Sequence, residues 1–449
     1  MRDMATSDHP AIQRELDRLE ALSLPQGRFG LETIREILAR LGHPERSLPS
    51  TFHVAGTNGK GSTCAYLRTM LEAQGLSVHV ATKPHLVRYN ERIRLAGKLI
   101  DDDLLAELLK EVLDLSEDLH PSFFEVTTAA TFLAFSRIPA DACVIEVGLG
   151  GRFDATNVME RPAACGIASL GIDHEAFLLR EEEGVPQDPL ARIAFEKAGI
   201  VRKGVPLVTQ SYPERALVEV ERIARERGAP HFLRGRDWDV SATDQLHYRD
   251  AKGELTLPLP RLHGQHQADN AGLAVALLRH QDEVHVSPEA MAEGISNTEW
   301  PARLQTLKPG PLTALLPDAE FILDGGHNPD AAQALAHTFG DRPRLNLVMA
   351  MMKNRPVREF LAPIAAKVER LYAVPIPGWH EDHDPKDICR VAQELGIVPT
   401  EPADDVPQAL ERLKARIESE GDARKQTVLI CGSLYLAGVV LKANDEVVD

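Results

Sequence analysis

Two patterns of apolar residues alternate along the first half of the chain. Short, nearly continuous apolar runs occupy residues 51–55, 77–81, 142–147, 166–170 and 206–209, and they predict buried strands. Between them lie stretches in which apolar residues recur every three or four positions, at 11–21, 31–41, 62–74, 104–112, 123–135 and 192–198, which predicts helices. Strands that alternate with helices in this way predict a mostly parallel sheet with helices on both faces.

The pattern changes twice in the second half of the chain. Residues 238–258 show short apolar–polar alternation with polar turns, which predicts added antiparallel strands, and 268–280 predict a helix. Alternation of strands and helices resumes after about residue 300, with strands expected at 321–323, 345–349, 370–374 and 428–431. We therefore predict two domains, residues 1–298 and residues 299–449.

A glycine-rich stretch between the first predicted strand and its helix has the layout of a phosphate-binding loop. Residues 56–61 read Gly-Thr-Asn-Gly-Lys-Gly, and two hydroxyl residues follow. Glycine lets backbone N–H groups approach an anion, Lys60 adds a positive charge, and a hydroxyl can reach Mg²⁺. The strict motif G-x-x-x-x-G-K-[ST] fails at Val54 and Gly61, so a glycine-rich turn with a solvated lysine stays an alternative. We expect a P-loop ATPase-like first domain and a smaller, Rossmann-like α/β second domain.

Composition and charge narrow the class of protein. The 449 residues are 43% hydrophobic, enough for packed cores, and carry a net charge of −17 without a basic patch, which argues against a nucleic-acid partner. The five scattered cysteines indicate a reducing compartment. No apolar run approaches the ~20 residues of a membrane span, and the N-terminus has no signal-like apolar core. The sequence predicts a soluble cytoplasmic protein.

Polar residues follow three predicted strands, at the edge where open α/β sheets bind ligands. Lys60 follows the first strand, Glu146 lies near the end of another, and Asp173-His174 follows a third. A buried carboxylate is costly unless it is paired or metal-bound, so Glu146 predicts a divalent-ion site shared with His174. A salt bridge from Glu146 to Arg152 is the alternative. Lys197 lies in the last turn of a predicted helix, which by itself indicates a structural lysine.

Several motifs, taken together, resemble those of one enzyme family. They occur in order along nearly the whole chain: Phe29-Gly-Leu31, His53-Val-Ala-Gly-Thr-Asn-Gly-Lys-Gly-Ser62, Pro84-His-Leu86, Glu146-Val-Gly-Leu-Gly-Gly-Arg152, Asp154-Ala-Thr-Asn-Val158, Glu196-Lys-Ala-Gly-Ile200, Asp324-Gly-Gly-His-Asn-Pro329 and Gly432-Ser-Leu-Tyr-Leu-Ala-Gly438. On these motifs the chain resembles folylpolyglutamate synthase and dihydrofolate synthase, the folate branch of the Mur ligase superfamily.

The resemblance implies an ATP-dependent amide ligase. ATP would phosphorylate a carboxylate of dihydropteroate or of a reduced folate, and the amine of L-glutamate would displace phosphate from the acyl phosphate. The resemblance also implies two Mg²⁺ ions, admits K⁺ as a further cofactor, and indicates a monomer. The expected partners are the small-molecule substrates, with neither nucleic acid nor membrane among them.

The resemblance assigns roles to residues by their motif position. It implies ATP contacts by Gly56, Thr57, Asn58, Gly59, Lys60, Gly61, Ser62, Thr63, Asn270, Arg303, Asp324 and His327. It implies the metal ligands Ser62, Glu146 and His174, the catalytic residues Lys60, His174 and Lys197, and the pterin contacts Phe124 and Asp154. Lys197 matches a lysine that is carbamylated in the superfamily, which would turn a cation into an anionic oxygen ligand.

The chain departs from the family pattern at three places. Lys83 replaces a serine that binds Mg²⁺ in relatives, and we hypothesise that its ammonium supplies charge near the γ-phosphate while water completes the metal shell. Lys353-Asn354-Arg355 replaces an Asp-Lys-Asp-like element. Residues 178–189 look like an insertion, and their acidic run, Glu181-Glu-Glu183, is expected to be a solvated loop.

Two rival functions remain open from the sequence. A cell-wall Mur-type amino-acid ligase is disfavoured because only roughly 50 residues precede the phosphate loop, fewer than a typical domain. A catalytically inactive nucleotide-binding regulator would explain Lys83 and the altered 353–355 element. The presence of Glu146, His174 and Lys197 argues against it.

Overall fold

The computed structural model describes residues 7–22, 30–340, 344–378 and 381–446. Phe29 of the first motif therefore lies outside the described residues. Within these ranges the chain forms two compact units, residues 7–261 with 267–299, and residues 262–266 with 300–446.

The first unit is built on an eight-stranded sheet and a separate three-stranded sheet. Its strands are β1 Ser50–Ala55, β2 Val78–Ala81, β3 Ile93–Leu95, β4 Lys98–Leu99, β5 Ala142–Glu146, β6 Ala164–Ile167, β7 Leu207–Thr209, β8 His231–Leu233, β9 Trp238–Ala242, β10 Leu246–Asp250 and β11 Gly253–Leu257. Its helices are α1 Pro10–Leu22, α2 Glu32–Arg40, α3 Lys60–Ala73, α4 Asp102–Ser116, α5 Phe123–Arg137, α6 Glu175–Leu178, α7 Pro189–Ala198, α8 Glu214–Arg227, α9 His266–Arg279 and α10 Pro288–Asn297.

The large sheet has the strand order β4-β3-β2-β5-β1-β6-β7-β8. Strand β1 pairs in parallel with β5 on one side and β6 on the other, with Phe52 opposite Val144 and Ala164. Only β3 and β4, at one edge, pair antiparallel. The carboxyl ends of β5, β1 and β6 are therefore neighbours, as the mostly parallel prediction requires.

Helices cover both faces of this sheet. On one face, β5 residues such as Ile145 pack with apolar side chains of α1, α2, α4 and α5. On the other, Ala55 and Ile167 pack with α7 and α8 through residues such as Ala194 and Val220. The predicted α/β class with helices on both faces is confirmed.

Residues 238–258 form the predicted antiparallel strands β9, β10 and β11. One local prediction is wrong in part. The stretch 82–94 lacks clear periodicity and is predicted to be a loop, but its end forms strand β3, which pairs with β2. The one-turn helix α6, directly before the inserted segment, is too short for apolar periodicity to predict.

The second unit is a smaller α/β layer with the strand order β12-β13-β17-β14-β15-β16. The elements are β12 Gln305–Thr306, β13 Glu320–Leu323, α11 Pro329–Thr338, β14 Leu345–Met349, α12 Val357–Ile364, β15 Val368–Ala373, α13 Pro385–Glu394, β16 Thr400–Pro402, α14 Val406–Glu420, β17 Thr427–Cys431 and α15 Leu434–Ala443. All pairs except β12–β13 are parallel, which confirms a second α/β domain. Among the described helices of either unit, none combines the length and apolar character that a membrane crossing needs.

Candidate active site

The glycine-rich loop turns sharply from β1 into α3. The helix begins at Lys60, two residues earlier than predicted, because Gly59 takes a left-handed backbone (φ +84°) directly before it. The first turn of a helix leaves its N–H groups without intrahelical acceptors, so residues 60–62 direct donors toward the loop, whereas Thr63 N–H already donates to Gly59 O at 2.9 Å. A Cβ on Gly59 would overlap Oδ1 of Asn270, which places this predicted nucleotide contact against the loop.

Two lysines converge on one backbone carbonyl of the loop. Lys60 Nζ donates to Gly56 O at 2.9 Å and to Thr57 O at 3.2 Å. Lys197 Nζ, buried in the last turn of α7, donates to the same Gly56 O at 2.9 Å. Burial, and secondarily the Lys60 charge, hold the pKa of Lys197 well below its ordinary value. The Lys197 amine therefore lies at the phosphate loop, and this position argues against a purely structural role.

Glu146 is the last residue of β5, and His174 lies in the segment after β6; these two strands flank β1. The buried Glu146 carboxylate accepts a hydrogen bond from the backbone N–H of Lys83 at 3.2 Å. Burial, and secondarily the Glu146 charge, raise the pKa of Cys64, which places this carboxylate near the first turn of α3. His174 has a left-handed backbone (φ +54°) and receives support from Asp173, whose Oδ1 accepts its N–H at 2.6 Å.

The segment that leads to His174 is bound to the phosphate loop. Thr57 N–H donates to Ser169 O at 2.7 Å, and Ser169 Oγ donates to Asn58 O at 3.1 Å. Thr57 Oγ1 donates to Gly171 O at 2.9 Å. Three hydrogen bonds therefore join the loop to the segment after β6.

The donor set at this edge fits a divalent ion that is bound together with a phosphate. In the described ranges no group of three or more His, Cys, Asp or Glu side chains could hold a metal. The predicted ligands Ser62, Glu146 and His174 include only two such side chains. Hydroxyl and carboxylate oxygens suit Mg²⁺ and Mn²⁺, and with only three protein ligands phosphate oxygens and water would have to complete the shell.

The predicted pterin residue Asp154 is held by its own loop. Its Oδ2 accepts N–H bonds from Gly148 and Leu149 at 3.0 and 2.9 Å, and its Oδ1 accepts the Thr156 hydroxyl at 2.5 Å. Thr156 Oγ1 in turn lies 2.9 Å from Nε2 of the buried His53. Burial acts to raise the pKa of Asp154, but the Lys83 ammonium and these hydrogen bonds leave it below its usual value.

The Lys83 ammonium lies near both predicted pterin residues. Its Nζ is 5.9 Å from the ring centroid of Phe124. A Cβ built on Gly148 would lie 3.5 Å from Lys83 Nζ and 3.2 Å from Asp154 Oδ2, so the ammonium and the carboxylate both lie next to Gly148. The structure thus brings Lys83, Phe124 and Asp154 together, while the hypothesis that Lys83 neutralises the γ-phosphate stays a prediction.

A four-charge network surrounds the residue that precedes Lys197. Glu196 pairs with Arg152 at 2.8 Å and with Arg192 at 3.0 Å, and Glu182 pairs with the same two arginines. The acidic run lies in an exposed loop, as predicted, and the exposed Glu182 side chain also forms two ion pairs that the prediction did not include. Hydrogen bonds from Arg152 lower its pKa to about 2. The alternative, a salt bridge from Glu146 to Arg152, does not form, because the Arg152 guanidinium binds Glu182 and Glu196 instead. In the sequence, only the i, i+4 spacing of Arg192 and Glu196 on a predicted helix indicates one of these ion pairs.

Two glycines let the 148–157 loop pack directly on the end of α7. A Cβ on Gly151 would lie 2.8 Å from Lys197 O, and one on Gly199 would lie 2.5 Å from Arg152 Cα. Arg152 N–H donates to Glu196 O at 2.7 Å. This close backbone contact fixes where the Lys197 side chain starts.

In the second unit, Asp324 and His327 follow β13. Asp324 Oδ1 accepts the Gly326 N–H at 2.7 Å, and Asp324 Oδ2 accepts the Leu304 N–H at 2.9 Å. His327 Nδ1 lies 2.8 Å from Gly325 O. The structure brings these predicted residues close to Arg303, which directly precedes Leu304.

Replacing Gly59 by alanine should weaken ATP binding more than it weakens the fold. The added methyl group meets Asn270 and also forces alanine into a left-handed backbone, so we expect the KM for ATP to rise about tenfold or more. Gly75→Ala is the matched control, because Gly75 has φ +86° at the other end of α3 with open space around it. Equal changes in KM for the two variants, measured by steady-state kinetics, would contradict this.

Removing the Glu196 charge should destabilise the protein strongly. Glu196→Gln leaves Arg152 and the buried Arg192 short of one carboxylate, so we expect the free energy of unfolding to fall by about 3 kcal/mol. The exposed pair Glu111–Arg137 is the control, where Glu111→Gln should cost about 0–1 kcal/mol. Urea unfolding of both variants measures the difference, and a Glu196 effect as small as the control would refute the role of the network.

Three comparisons with known proteins agree with this geometry. Residues 316–443 match the family model described as "Dihydrofolate synthetase, C-terminal domain". The chain is 31% identical to the dihydrofolate synthase/folylpolyglutamate synthase of Bacillus subtilis, over 92% of this chain and 94% of the relative.

Two solved structures are similar over nearly their whole length. The Escherichia coli FolC in complex with DHPP and ADP has a TM-score of 0.85, 32% identity, and coverage of 98% of both chains. A bifunctional folylpolyglutamate synthase/dihydrofolate synthase from Yersinia pestis, complexed with AMPPNP and Mn ion, has a TM-score of 0.81 at 28% identity, covering 97% of this chain and 99% of that chain.

Proposed function

The chain belongs to the family of folylpolyglutamate and dihydrofolate synthases, which are ATP-dependent ligases, and from this premise we propose that it joins L-glutamate to the carboxylate of dihydropteroate or of a reduced folate. The names of its relatives support glutamate as the amine and a pteroate or folate as the acid. They also favour this activity over a cell-wall ligase and over an inactive regulator.

We propose that ATP binds with its phosphates over residues 56–63. The amides at the start of α3 and the positive end of its dipole would meet the phosphate oxygens. Lys60, which rests on Gly56 O, would turn from that carbonyl to the phosphates. The Asn270 side chain, at Gly59, lies where it can contact the nucleotide.

The metal would be held by Ser62, Glu146 and His174 together with phosphate oxygens. Mg²⁺ supplies charge neutralisation for the transferring phosphoryl group and orients its oxygens. A second Mg²⁺ and a K⁺ ion are further proposals. The protein residues contribute fixed oxygen and nitrogen donors at the carboxyl ends of β5 and β6.

The reaction would proceed in two balanced steps. A carboxylate oxygen of the acid attacks the γ-phosphorus of ATP, which forms an acyl phosphate and releases ADP. The glutamate amine, after losing a proton, then attacks the acyl carbon, the amide bond forms, and inorganic phosphate leaves. The protein's task is to position the three substrates and offset negative charge.

We further propose that Lys197 is carbamylated. Its lowered pKa favours the neutral amine, whose nitrogen can bond to the carbon of CO₂ and release one proton. The product is an anionic group at the position now occupied by the amine. Incubation with ¹³C-bicarbonate should give a carbamate resonance in wild-type protein that the Lys197→Met variant lacks.

We also propose that residues 1–298 form the nucleotide-binding domain and residues 299–449 the second domain. The pterin would lie against Phe124 and Asp154, with Lys83 supplying positive charge beside them. A monomer in the cytoplasm fits this function, and size-exclusion chromatography tests the oligomeric state.

The observation that carries the proposal is the convergence of Lys60 and Lys197 on Gly56 O, with Glu146 at the end of β5 and His174 in the segment that follows β6. The test is ADP release with L-glutamate and either dihydropteroate, tetrahydrofolate or a muramyl substrate. Release that requires glutamate and one of the two pterins is expected. Release only with the muramyl substrate, or none with any acid, would refute the proposal.

A further inference from the structure

The inserted segment, residues 178–189, packs on the 148–157 loop of the same unit. Leu178 is buried, and a Cβ built on Gly150 would lie 2.9 Å from its Cδ2 atom. The carbonyl oxygen of Leu178 accepts a hydrogen bond from Nε of Arg192 at 3.2 Å, which ties the start of the segment to helix α7. The inserted segment therefore contacts both the loop and the helix.

The Arg152 side chain of this loop is fixed by two carboxylates and two aromatic rings. Its guanidinium donates two hydrogen bonds to Glu182, at 2.8 and 2.5 Å, and two to Glu196, at 3.1 and 2.8 Å. Its Cζ atom lies 4.2 Å from the ring centroid of Phe153 and 4.9 Å from that of Phe195. Because the guanidinium is planar and its donors have fixed directions, these contacts hold it in one orientation.

Glu182 supplies the carboxylate that balances the charge of this cluster. Arg152 and the buried Arg192 both pair with the buried Glu196, so one carboxylate serves two guanidinium groups there. Glu182 pairs with the same two arginines, at 2.5 and 2.8 Å, and brings the four charges to zero. A cation that is removed from water is costly unless it is paired, so the inserted segment provides a partner that these arginines need.

We propose that Glu182 is a positioning residue that acts through Arg152 and holds the 148–157 loop in the conformation that receives the acid substrate. This inference rests on the proposed function, in which Asp154 of that loop contacts the pterin. Asp154 lies two residues after Arg152, and its N–H donates to Gly151 O at 3.2 Å within the same turn. When Arg152 loses one of its two carboxylates, the turn gains conformations, and ordering them on binding costs affinity for the acid.

The central test is Glu182→Gln, which removes the charge and keeps the size of the side chain. We expect the KM for the pterin acid that supports ADP release to rise about fivefold, with the KM for ATP within about twofold of wild type. Because an exposed carboxylate contributes little to the fold, the melting temperature should stay within about 2 °C of wild type. An unchanged KM for the acid, or equal rises in both KM values, would overturn the proposal.

Glu183→Gln is the matched control. Glu183 lies in the same exposed turn and forms no ion pair with any residue in the described ranges, so its KM for the acid should equal that of wild type. A rise as large as that of Glu182→Gln would show that only the total charge of the inserted segment matters, and the role of Glu182 would fail.

The salt dependence of KM gives a readout that a purely structural role would not change. Salt weakens ion pairs between exposed groups, whereas it acts on the charge of the substrate in both enzymes alike. The ratio of the KM of Glu182→Gln to that of wild type should therefore fall toward one between about 0.05 M and about 0.5 M NaCl. A ratio that does not change with salt would refute an electrostatic role for Glu182.

Coupling to Arg152 tests the route of the effect. If Glu182 acts through Arg152, the double variant Glu182→Gln/Arg152→Gln should have the same KM for the acid as Arg152→Gln alone. A rise equal to the product of the two single rises would show that Glu182 acts independently of Arg152 and would refute the proposal. If Arg152→Gln does not fold, the salt dependence of Glu182→Gln decides the question.

Asp154→Asn separates failure of this inference from failure of the proposed function. If Asp154→Asn leaves the KM for the acid unchanged, the proposed pterin contact fails, and the positioning role fails with it. If Asp154→Asn raises this KM while Glu182→Gln behaves as wild type, only the positioning role fails. Titration calorimetry of dihydropteroate and of tetrahydrofolate against the ADP-bound enzyme measures the affinity of the same variants without turnover.

Discussion

The Lys60→Ala variant is expected to release ADP about a thousandfold more slowly than wild type in the presence of L-glutamate and a pterin substrate. The Lys60 ammonium donates to two backbone carbonyls of the loop, Gly56 O and Thr57 O, and we expect it to turn from these carbonyls to a phosphate. Without the Lys60 ammonium, the transferring phosphoryl group lacks a full positive charge, and the backbone amides of the loop do not replace that charge. Steady-state kinetics at saturating ATP and Mg²⁺ measure the change in kcat.

Lys110→Ala is the control for this experiment. Lys110 is exposed and pairs with Asp114 on the surface of α4, so its removal should leave kcat unchanged. Lys60→Arg should retain part of the activity, since it keeps the charge with a different shape. A Lys60→Ala enzyme within threefold of wild type would mean that the phosphates lie elsewhere.

Much of the first unit could be predicted because its signals are local. The glycine spacing of residues 56–61 and the apolar run of β5 each specify an element without reference to the rest of the chain. Helix α3 begins two residues before its predicted start because Gly59 adopts a left-handed backbone there, with the Asn270 side chain packed against it. A one-dimensional pattern does not contain this contact.

Lys197 and Glu182 show what the residues alone could not reveal. A lysine in the last turn of a helix normally reaches water, and an exposed acidic run gives no indication of its ion-pair partners. Here Gly151 and Gly199 bring the loop backbone against α7, which turns Lys197 inward and places Arg152 within reach of Glu182. Such pairings join positions separated by about 30 residues or more, and periodicity does not register them.

Lys83 adds a positive charge beside the residues that are proposed to contact the pterin. Its backbone N–H binds the Glu146 carboxylate, while its ammonium lies beside Phe124 and Asp154. One residue therefore links the proposed metal ligand to the proposed substrate contact. The sequence identifies the departure, but only the structure shows that the Lys83 ammonium lies near Phe124 and Asp154, the two residues proposed to contact the pterin.

The Lys197→Met variant is expected to lose activity and gain stability. Its kcat should fall by about 10²–10³-fold, because the variant lacks the amine that would carry the anionic carbamate. The folded-state pKa of Lys197 lies well below its unfolded value near 10.4, through burial first and Lys60 second. Below the unfolded pKa the unfolded chain therefore gains more from protonation, which makes the wild-type lysine destabilising at neutral pH.

The lowered pKa of Lys197 determines how the free energy of unfolding should change with pH. In CO₂-free buffer the free energy of unfolding of wild type should rise with pH between the lowered folded pKa and about 10.4, relative to Lys197→Met. The stability advantage of the variant should thus be largest near neutral pH and shrink toward pH 10. Lys203→Met, at an exposed lysine just after α7, is the control and should show no such trend. Two results would contradict this: a stability advantage of Lys197→Met that grows with pH, or a variant that is less stable than wild type without CO₂. Either would mean that Lys197 is charged and well paired, and not a neutral amine at the phosphate loop.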